Sequence, residues 1–336
     1  MKIIILVPCL LSLVTAHPEK DFGTTYLLGQ QAEHERITRA ALQCYGGWKS
    51  DGSCFEEDSV DQVAGSTGTF GAVGAPDVPP PFGAEAHCDD ADFLDITGYP
   101  QSRQIASSKL KTCVDFLKSQ FRDSIIEAAT LLDGKGNIKT SWWSNPYSVT
   151  WPSCTFRPQT SGRIKCNVYQ GFGVALHGVQ DFYSHSNWAD TAAPPYTIAN
   201  PPGLANTSPA PLLNLRHTAK DDVLSIPYNL TTGCYQFGKD TAPAPPSGTC
   251  YNRILHDSLN KDKGTINAQT GATSGTPGTN RGKYNGNFGR AVKVAIADTR
   301  RQWSDFRAEL VSTYGQGKAD KMICALTRDD PENRCR

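Results

Sequence analysis

The stretch GVALHGVQDFYSHSNW, residues 173–188, decides both the fold and the chemistry expected of this chain. If it is helical, His177, Asp181 and His185 stand four residues apart, so their side chains project from one face along about 12 Å of axis. Large apolar residues occupy most other sides of the same helix. A helix that is apolar nearly all round is buried, so its polar row must face the protein interior.

This buried row of imidazole, carboxylate and imidazole predicts a metal site. Three ionisable groups are costly to bury unless something pairs them, and a divalent cation pairs them directly. Asp181 could bridge two ions, or bind one ion while it orients a neighbouring imidazole. The alternative, an ordinary salt bridge of Asp181 with both histidines on a solvated face, fits the apolar flanks less well.

Two further motifs supply candidate ligands. In EHERITRAAL, residues 33–42, His34 continues an apolar line and points to the core, where a lone histidine is more often a satisfied core residue than a ligand. In AHCDDADFLD, residues 86–95, His87 is followed by three carboxylates within five residues. Such acidic clusters are usually solvated loops, and ligation by His87 with one nearby aspartate is the competing interpretation.

Three histidines remain, and one of them could complete a set begun by His185. His217 has Asp221 four residues further on, and His256 opens the string HDSLNKD. His17 would begin the mature chain, where its amine and imidazole could chelate a metal together.

The apolar periodicity predicts a mainly helical protein. Apolar residues recur at spacings of three and four and form one stripe on each expected helix. A last short helix is expected after Gly315 and Gly317, which suit a helix stop. The expected helices are Ala32–Cys44, Ile105–Leu132, Ile164–Asn187, Asn287–Tyr314 and Lys318–Leu326.

Long punctuated segments separate these helices. Ten prolines lie between Pro194 and Pro246, and the stretch 192–286 is rich in Pro and Gly. No alternating β-pattern is sustained. We therefore expect one mainly α domain over residues 17–336, with 192–286 as a loop insertion. The proline-rich part could be a lid over a site, although an irregular surface connection is the more common role of such chain.

The N-terminus has the pattern of a signal peptide, with Lys2 before an apolar run that ends in small residues at Ala16. Residues 1–16 are therefore predicted to be removed, and the protein to be secreted. The mature chain has 32 basic and 33 acidic side chains, a balance without an electrostatic footprint for nucleic acid. No later stretch has the roughly 20 apolar residues that a spanning helix needs. Sequons at Asn206 and Asn229 agree with a secreted glycoprotein.

Ten cysteines remain after removal of Cys9, and this even number predicts five disulfides in an oxidising compartment. Metal-bound thiolates are the alternative, which the absence of any CxxC pair disfavours. Neighbouring cysteines that flank turn-rich loops are the simplest partners, such as Cys44 with Cys54, Cys154 with Cys166 and Cys234 with Cys250.

The string HGVQDFYSHSNW resembles the hallmark helix of the Het-C/CinY proteins of fungi and actinobacteria, which are related in sequence to the zinc-dependent phospholipases C and the fungal single-strand nucleases. EHERITRAAL and AHCDDADFLD also resemble motifs of that group, and HDSLNKD does so more weakly. The resemblance implies a zinc-phospholipase-C-like helical domain with long disulfide-bound loops. It also implies up to three zinc ions at the base of a cleft.

By position, the resemblance implies His34 as the early ligand, His87 as the second histidine, and His177 with Asp181 as an HxxxD pair. His185 would be the next ligand. It follows Asp181 by four residues where the phospholipases leave six, so the third metal position stays open. Those enzymes also use an N-terminal tryptophan that has no counterpart here.

The carboxylate ligands and the last histidine have alternatives. Asp77 could be the upstream aspartate, but Asp89 and Asp90 lie closer to His87 in sequence. The pair His217 and Asp221 has the family spacing with aspartate in place of glutamate, whereas His256 lies in the more family-like string and is preferred. The expected metal ligands are His34, His87, Asp90, His177, Asp181, His185 and His256, and the candidate catalytic residues are Asp77 and Asp89.

Two functions compete at this point. The first is a zinc-dependent phosphodiesterase of the phospholipase C type, in which zinc lowers the pKa of a bound water towards about 7 and Asp77 or Asp89 is the general base. Its expected substrate is a phospholipid or a small phosphodiester rather than a nucleic acid. The second is a non-catalytic secreted or cell-wall recognition protein of the Het-C/CinY type, in which zinc is structural and the loops bind a partner.

Overall fold

The computed structural model describes residues 31–66, 69–78, 82–139, 154–156, 159–216, 226–236 and 248–335. These residues form a mainly helical protein with one two-stranded hairpin. The helices are α1 Glu33–Leu42, α2 Glu57–Ala64, α3 Ala84–His87, α4 Arg103–Ala128, α5 Ile164–His185, α6 His256–Leu259, α7 Asn280–Lys283, α8 Asn287–Tyr314, α9 Gln316–Thr327 and α10 Pro331–Arg334. The strands are β1 Thr265–Ile266 and β2 Thr273–Ser274, paired antiparallel with Thr265 opposite Ser274.

Helix α5 is central and is buried along almost its whole length. It packs against α4 on one side and α8 on another, with α3 and α1 closing the end that carries the histidines. Phe172 of α5 contacts the rings of Trp303 and Phe306 on α8 at centroid distances of 5.6 and 5.0 Å. The predicted burial of this helix is confirmed, and its polar row therefore faces other elements of the protein.

Small residues on α5 allow its neighbours to approach closely. A Cβ at Gly178 would lie 2.5 Å from the carbonyl oxygen of Ala86 and 2.6 Å from Leu117. Such separations are impossible for a larger residue, because packed interiors leave no room for an added carbon. The glycine thus brings α3, which ends at His87, against the face of α5 that carries the other candidate ligands.

The helices expected from periodicity are present, with small differences at their ends. The segment Asn287–Tyr314 is helical as predicted, and α4 begins two residues before Ile105 because the Ser102 side chain caps its first turn by accepting a hydrogen bond from the Ile105 amide. Gly315 ends α8 with a positive φ of 79°. The prediction for Gly317 was wrong, because α9 already begins at Gln316.

The stretch 192–286 is more than a surface connection. Its described residues include α6, α7 and the hairpin, and they place Ala210, Leu212, Leu213 and Leu230 in the buried core. These parts of the stretch therefore combine short regular elements with chain whose apolar side chains reach the core. They also carry His256 into the interior.

Five disulfides join consecutive cysteines, which confirms the predicted pairing of neighbours. Cys88 and Cys113 tie α3 to α4, and Cys324 and Cys335 tie α9 to the residue after α10. Such cross-links stabilise the fold chiefly by restricting the unfolded chain. Among the described residues, no helix has the length and apolar character needed to cross a membrane.

Candidate metal centre

Five side chains from three helices form one buried cluster with Asp181 at its centre. His34 comes from α1, His87 ends α3, and α5 supplies His177, Asp181 and His185. Four of these side chains are fully buried, and His87 is 7% exposed. The structure thus brings together the row on α5 and the two motifs that the sequence analysis singled out.

Three side chains of this cluster and Asp77 bring four possible ligand atoms close together. Nε2 of His177 lies 2.9 Å from Oδ2 of Asp181, 3.0 Å from Nδ1 of His87 and 3.4 Å from Oδ1 of Asp77. Nδ1 of His87 lies 2.9 Å from the same oxygen of Asp181 and 3.9 Å from Oδ1 of Asp77. We call these four residues the first group.

Five separations within the first group lie near those of a tetrahedral ligand set. In a tetrahedron the distance between ligands is about 1.6 times the bond length, so zinc bonds of about 2.0–2.1 Å require ligand atoms about 3.3 Å apart. The five separations given above range from 2.9 to 3.9 Å around that value. Two imidazole nitrogens and two carboxylate oxygens are also donors that zinc accepts.

The tautomer of His177 is set by the backbone. Its Nδ1 lies 2.9 Å from the carbonyl oxygen of Val73, which only accepts hydrogen bonds, so Nδ1 carries the proton. Nε2 of a neutral His177 therefore presents its lone pair to Asp181, Asp77 and His87. A proton on Nδ1 of His87 can form a hydrogen bond with only one of these atoms at a time. A cation placed between the four residues could bind all four of their ligand atoms.

His34 is oriented in the same way by a side-chain network. Thr299 donates to the carbonyl oxygen of Ala295, so its hydroxyl oxygen accepts from Nε2 of Gln180, which fixes the amide orientation. Oε1 of Gln180 then accepts from Nδ1 of His34 at 2.8 Å. The Nε2 atom of His34 consequently faces Oδ1 of Asp181 at 3.2 Å. Oδ2 of Asp181 therefore faces His87 and His177, and Oδ1 faces His34.

The charge on Asp181 is maintained by its surroundings. Burial alone would raise the pKa of this carboxyl, but the adjacent His177, His185 and His34 hold the pKa of Asp181 well below its ordinary value. An ionised carboxylate in the centre of a buried imidazole cluster attracts cations electrostatically. It can bind two of them because its two oxygens face different nitrogens.

A second group lies one turn further along α5. Ligand atoms of Asp89, His185 and His256 all lie within 4.8 Å of one another. The rings of His185 and His256 are 4.1 Å apart, and Nδ1 of His185 lies 3.7 Å from Oδ1 of Asp89. Asp89 is 5% exposed, and both histidines are fully buried. Among the described residues, His256 therefore lies beside His185 and Asp89.

Backbone hydrogen bonds next to the Cys234–Cys250 disulfide hold the start of α6, where His256 lies. The His256 amide donates to the carbonyl oxygen of Cys234, whose own amide donates to that of Ile254. A Cβ at Gly233 would lie 2.2 Å from Cα of His256, so only glycine permits this approach. The ring of Tyr235 stands 5.5 Å from that of His256.

One expected metal ligand lies outside both groups. Asp90 does not share a group with any histidine in the described chain; its Oδ1 accepts a hydrogen bond from the Tyr235 amide. It does lie near Cys234 and Cys250, but those sulfurs form a disulfide and supply no thiolate. His217 and Asp221, like His17, lie outside the described residues.

Several contributors escaped the sequence analysis. The Val73 carbonyl is a backbone group, and no residue pattern indicates which carbonyl will meet a histidine. Gln180 could have been noticed, because it precedes Asp181 on the helix that carries the polar row. Asp262 lies within the quoted string HDSLNKD and is fully buried beside His185.

Replacement of Gly173 should test how the backbone positions His177. A Cβ on Gly173 would lie 2.4 Å from Cβ of Ala72 and 2.8 Å from the amide nitrogen of Val73. Gly173→Ala should therefore displace the Val73 carbonyl, lower the free energy of unfolding by about 1–3 kcal/mol and weaken metal binding. Thermal denaturation and a zinc titration measure the two effects.

Gly317→Ala is the matched control for this prediction. A Cβ on Gly317 meets nothing within 4 Å, so alanine in this turn of α9 should stabilise the protein by up to about 1 kcal/mol. It should leave metal binding unchanged. Equal effects of the two substitutions on stability and zinc affinity would contradict the positioning role of Gly173.

Comparisons with known proteins add no relative. The chain matches no family model, and searches among curated proteins and among solved structures found no significant match. The resemblance to the Het-C/CinY group thus depends on the motifs of the sequence. What the structure itself establishes is a mainly helical, disulfide-linked chain with buried histidine and aspartate groups that could hold metal ions.

Proposed function

We propose that this chain is a secreted zinc-dependent hydrolase of phosphodiesters, built on a helical domain of the zinc-phospholipase C type. The observation that carries the proposal is that Nε2 of His177 and Nδ1 of His87 lie next to each other and each faces a carboxylate oxygen of both Asp77 and Asp181. The tautomer of His177 is fixed so that a lone pair points into this set. A hydrogen bond from the second ring nitrogen to a protein acceptor is typical of metal-binding histidines, because it fixes the ring and its tautomer.

The donor groups accommodate up to three zinc ions. The first group would hold one ion, and Oδ1 of Asp181 with Nε2 of His34 offers a position for another. Asp89, His185 and His256 offer the third. Zinc bound in such sites supplies Lewis acidity and lowers the pKa of a coordinated water, which is the chemistry that phosphodiester hydrolysis needs.

The contacts and exposure of the three aspartates indicate which of them could bind a metal ion and which could accept a proton. Both oxygens of Asp181 face imidazole nitrogens in the interior, so this residue binds and does not exchange protons with substrate. Asp77 and Asp89 are 8% and 5% exposed, and each turns Oδ1 towards a histidine. Oδ2 of either residue is our candidate proton acceptor during attack by water.

The substrate class follows from charge. Acidic and basic residues are equal in number over the whole chain, and phosphate-backbone recognition relies on an excess of Lys and Arg. A phospholipid or small phosphodiester therefore suits this protein better than a nucleic acid. Secretion is supported by five disulfides, which persist in oxidising compartments, and by the N-terminal signal pattern.

A second candidate function is a non-catalytic recognition protein, secreted or at the cell wall, in which zinc is structural. The burial of the site favours it: His34, His177, Asp181, His185 and His256 are all fully buried. A closed shell of protein ligands is the mark of a structural zinc site, whereas catalysis requires an open position.

Elemental analysis and assays separate the two candidates. Purified full-length protein should contain stoichiometric zinc and hydrolyse phosphatidylcholine or bis(p-nitrophenyl) phosphate. A chelator should stop this turnover, and added zinc should restore it. Stoichiometric zinc without turnover on either substrate would overturn the enzyme and leave the recognition protein, and protein that takes up no zinc would overturn both.

A further inference from the structure

Asp262 belongs to neither group described above, yet its fully buried carboxylate stands beside one of them. Its Oδ1 lies 3.9 Å from Nε2 of His185 and accepts a hydrogen bond from the hydroxyl of Ser184. The backbone amide of Asp262 donates a hydrogen bond to Oδ1 of Asn260 at 2.7 Å, which holds the chain that follows α6. Burial of a carboxylate is costly, so its placement next to a candidate ligand requires an explanation.

The two ring nitrogens of His185 face different amounts of negative charge. Nε2 lies 3.9 Å from an oxygen of Asp181 and 3.9 Å from one of Asp262. Nδ1 faces Oδ1 of Asp89 at 3.7 Å. A neutral imidazole carries one proton, and that proton is favoured on the nitrogen that faces more carboxylate charge. His185 then holds its proton on Nε2 and presents the lone pair of Nδ1 to Asp89.

We infer that Asp262 is a positioning residue that holds the proton of His185 on Nε2, so that Nδ1 is kept for the cation position shared with Asp89 and His256. The inference rests on the proposed function, because it assumes that a cation binds there. A carboxylate beside the second nitrogen of a ligating histidine fixes both ring orientation and tautomer, and its loss costs about 10–100-fold in metal affinity. Ser184 holds Asp262 in place for this task.

The variant Asp262→Asn tests the inference because it removes charge and keeps size. Calorimetric titration of the metal-free full chain with zinc should show one position weakened by about 10–100-fold, with the others unchanged. Nitrogen-15 NMR of the metal-free protein reports which imidazole nitrogen of His185 carries the proton when no cation occupies Nδ1. The wild-type protein should carry it on Nε2 of His185, and the variant should lose that preference, which a merely structural residue would not alter.

Two further variants complete the test. Asp257→Asn changes a partly exposed carboxylate on α6, five residues before Asp262, and should leave zinc affinity unchanged. If Asp262→Asn does not fold, Ser184→Ala removes the hydroxyl that holds Asp262 and should weaken the same position to a smaller degree. A proton on Nδ1 of His185 in the wild-type protein would overturn the inference.

The outcomes also separate this inference from the proposed function. If the wild-type protein binds zinc while Asp262→Asn binds it with the same affinity and the same tautomer, only the role of Asp262 is overturned. If the wild-type protein takes up no zinc, the proposed function is overturned and the inference with it.

Discussion

Asp181→Asn is expected to reduce the zinc content to at most one ion per chain and to remove hydrolytic activity at the same time. Both oxygens of Asp181 face imidazole nitrogens, at 3.2 Å from His34 and 2.9 Å from His87 and His177. The amide of asparagine is neutral and offers a single acceptor oxygen. It therefore cannot serve two cation positions.

The size of this effect follows from the place of Asp181 in the cluster. Removal of a residue that only orients a metal ligand lowers metal affinity by about 10–100-fold. Replacement of Asp181, a ligand shared by two positions, should therefore lower it by more than about 100-fold. The position formed by Asp89, His185 and His256 does not need Asp181 as a ligand and should keep its ion. Elemental analysis of the dialysed variant and the phosphodiester assay measure the two losses.

Asp298→Asn is the matched control, because Asp298 is also a fully buried carboxylate of the core. It accepts hydrogen bonds from Tyr183, Arg301 and Gln302 rather than facing histidines. This variant should keep its zinc even if it loses stability. Full zinc content in Asp181→Asn, or equal zinc loss in both variants, would contradict the assignment of Asp181.

Periodic features of the site could be predicted from the sequence. The spacing of His177, Asp181 and His185 places them on one face of any helix, and the apolar flanks of that helix require burial. The structure has both features. Disulfide pairing was also accessible, because each cysteine pairs with its neighbour along the chain.

Other features depend on tertiary contacts that no local pattern encodes. Periodicity placed His34 on the core side of α1, but only packing against α5 brings its Nε2 to Asp181. The Val73 carbonyl reaches His177 because Gly173 leaves space for it. The prediction of Asp90 as a ligand depended on its closeness to His87 in sequence, which does not determine where its side chain points. In the structure, the Asp90 carboxylate accepts a hydrogen bond from the Tyr235 amide instead.

Removal of metal should lower the thermal stability of the wild-type protein substantially. Five fully buried ionisable side chains, together with Asp77, His87 and Asp89, converge in the interior. Without cations their carboxylates and lone pairs face one another in a medium that solvates them poorly. Because the unfolded chain has no such arrangement, the free energy of zinc binding contributes directly to folding.

The expected shift can be estimated from mass action. Free zinc at 1,000 times the dissociation constant stabilises the folded state by about 4 kcal/mol per position. In a chain of this size one kcal/mol corresponds to about 2–4 °C, so a chelator should lower the unfolding midpoint by about 10 °C for each ion that it removes. Differential scanning calorimetry with the disulfides intact measures it. Asp181→Asn, which has fewer ions to lose, should show a clearly smaller shift; an identical midpoint with and without chelator in the wild-type protein would mean that these buried groups do not depend on a cation.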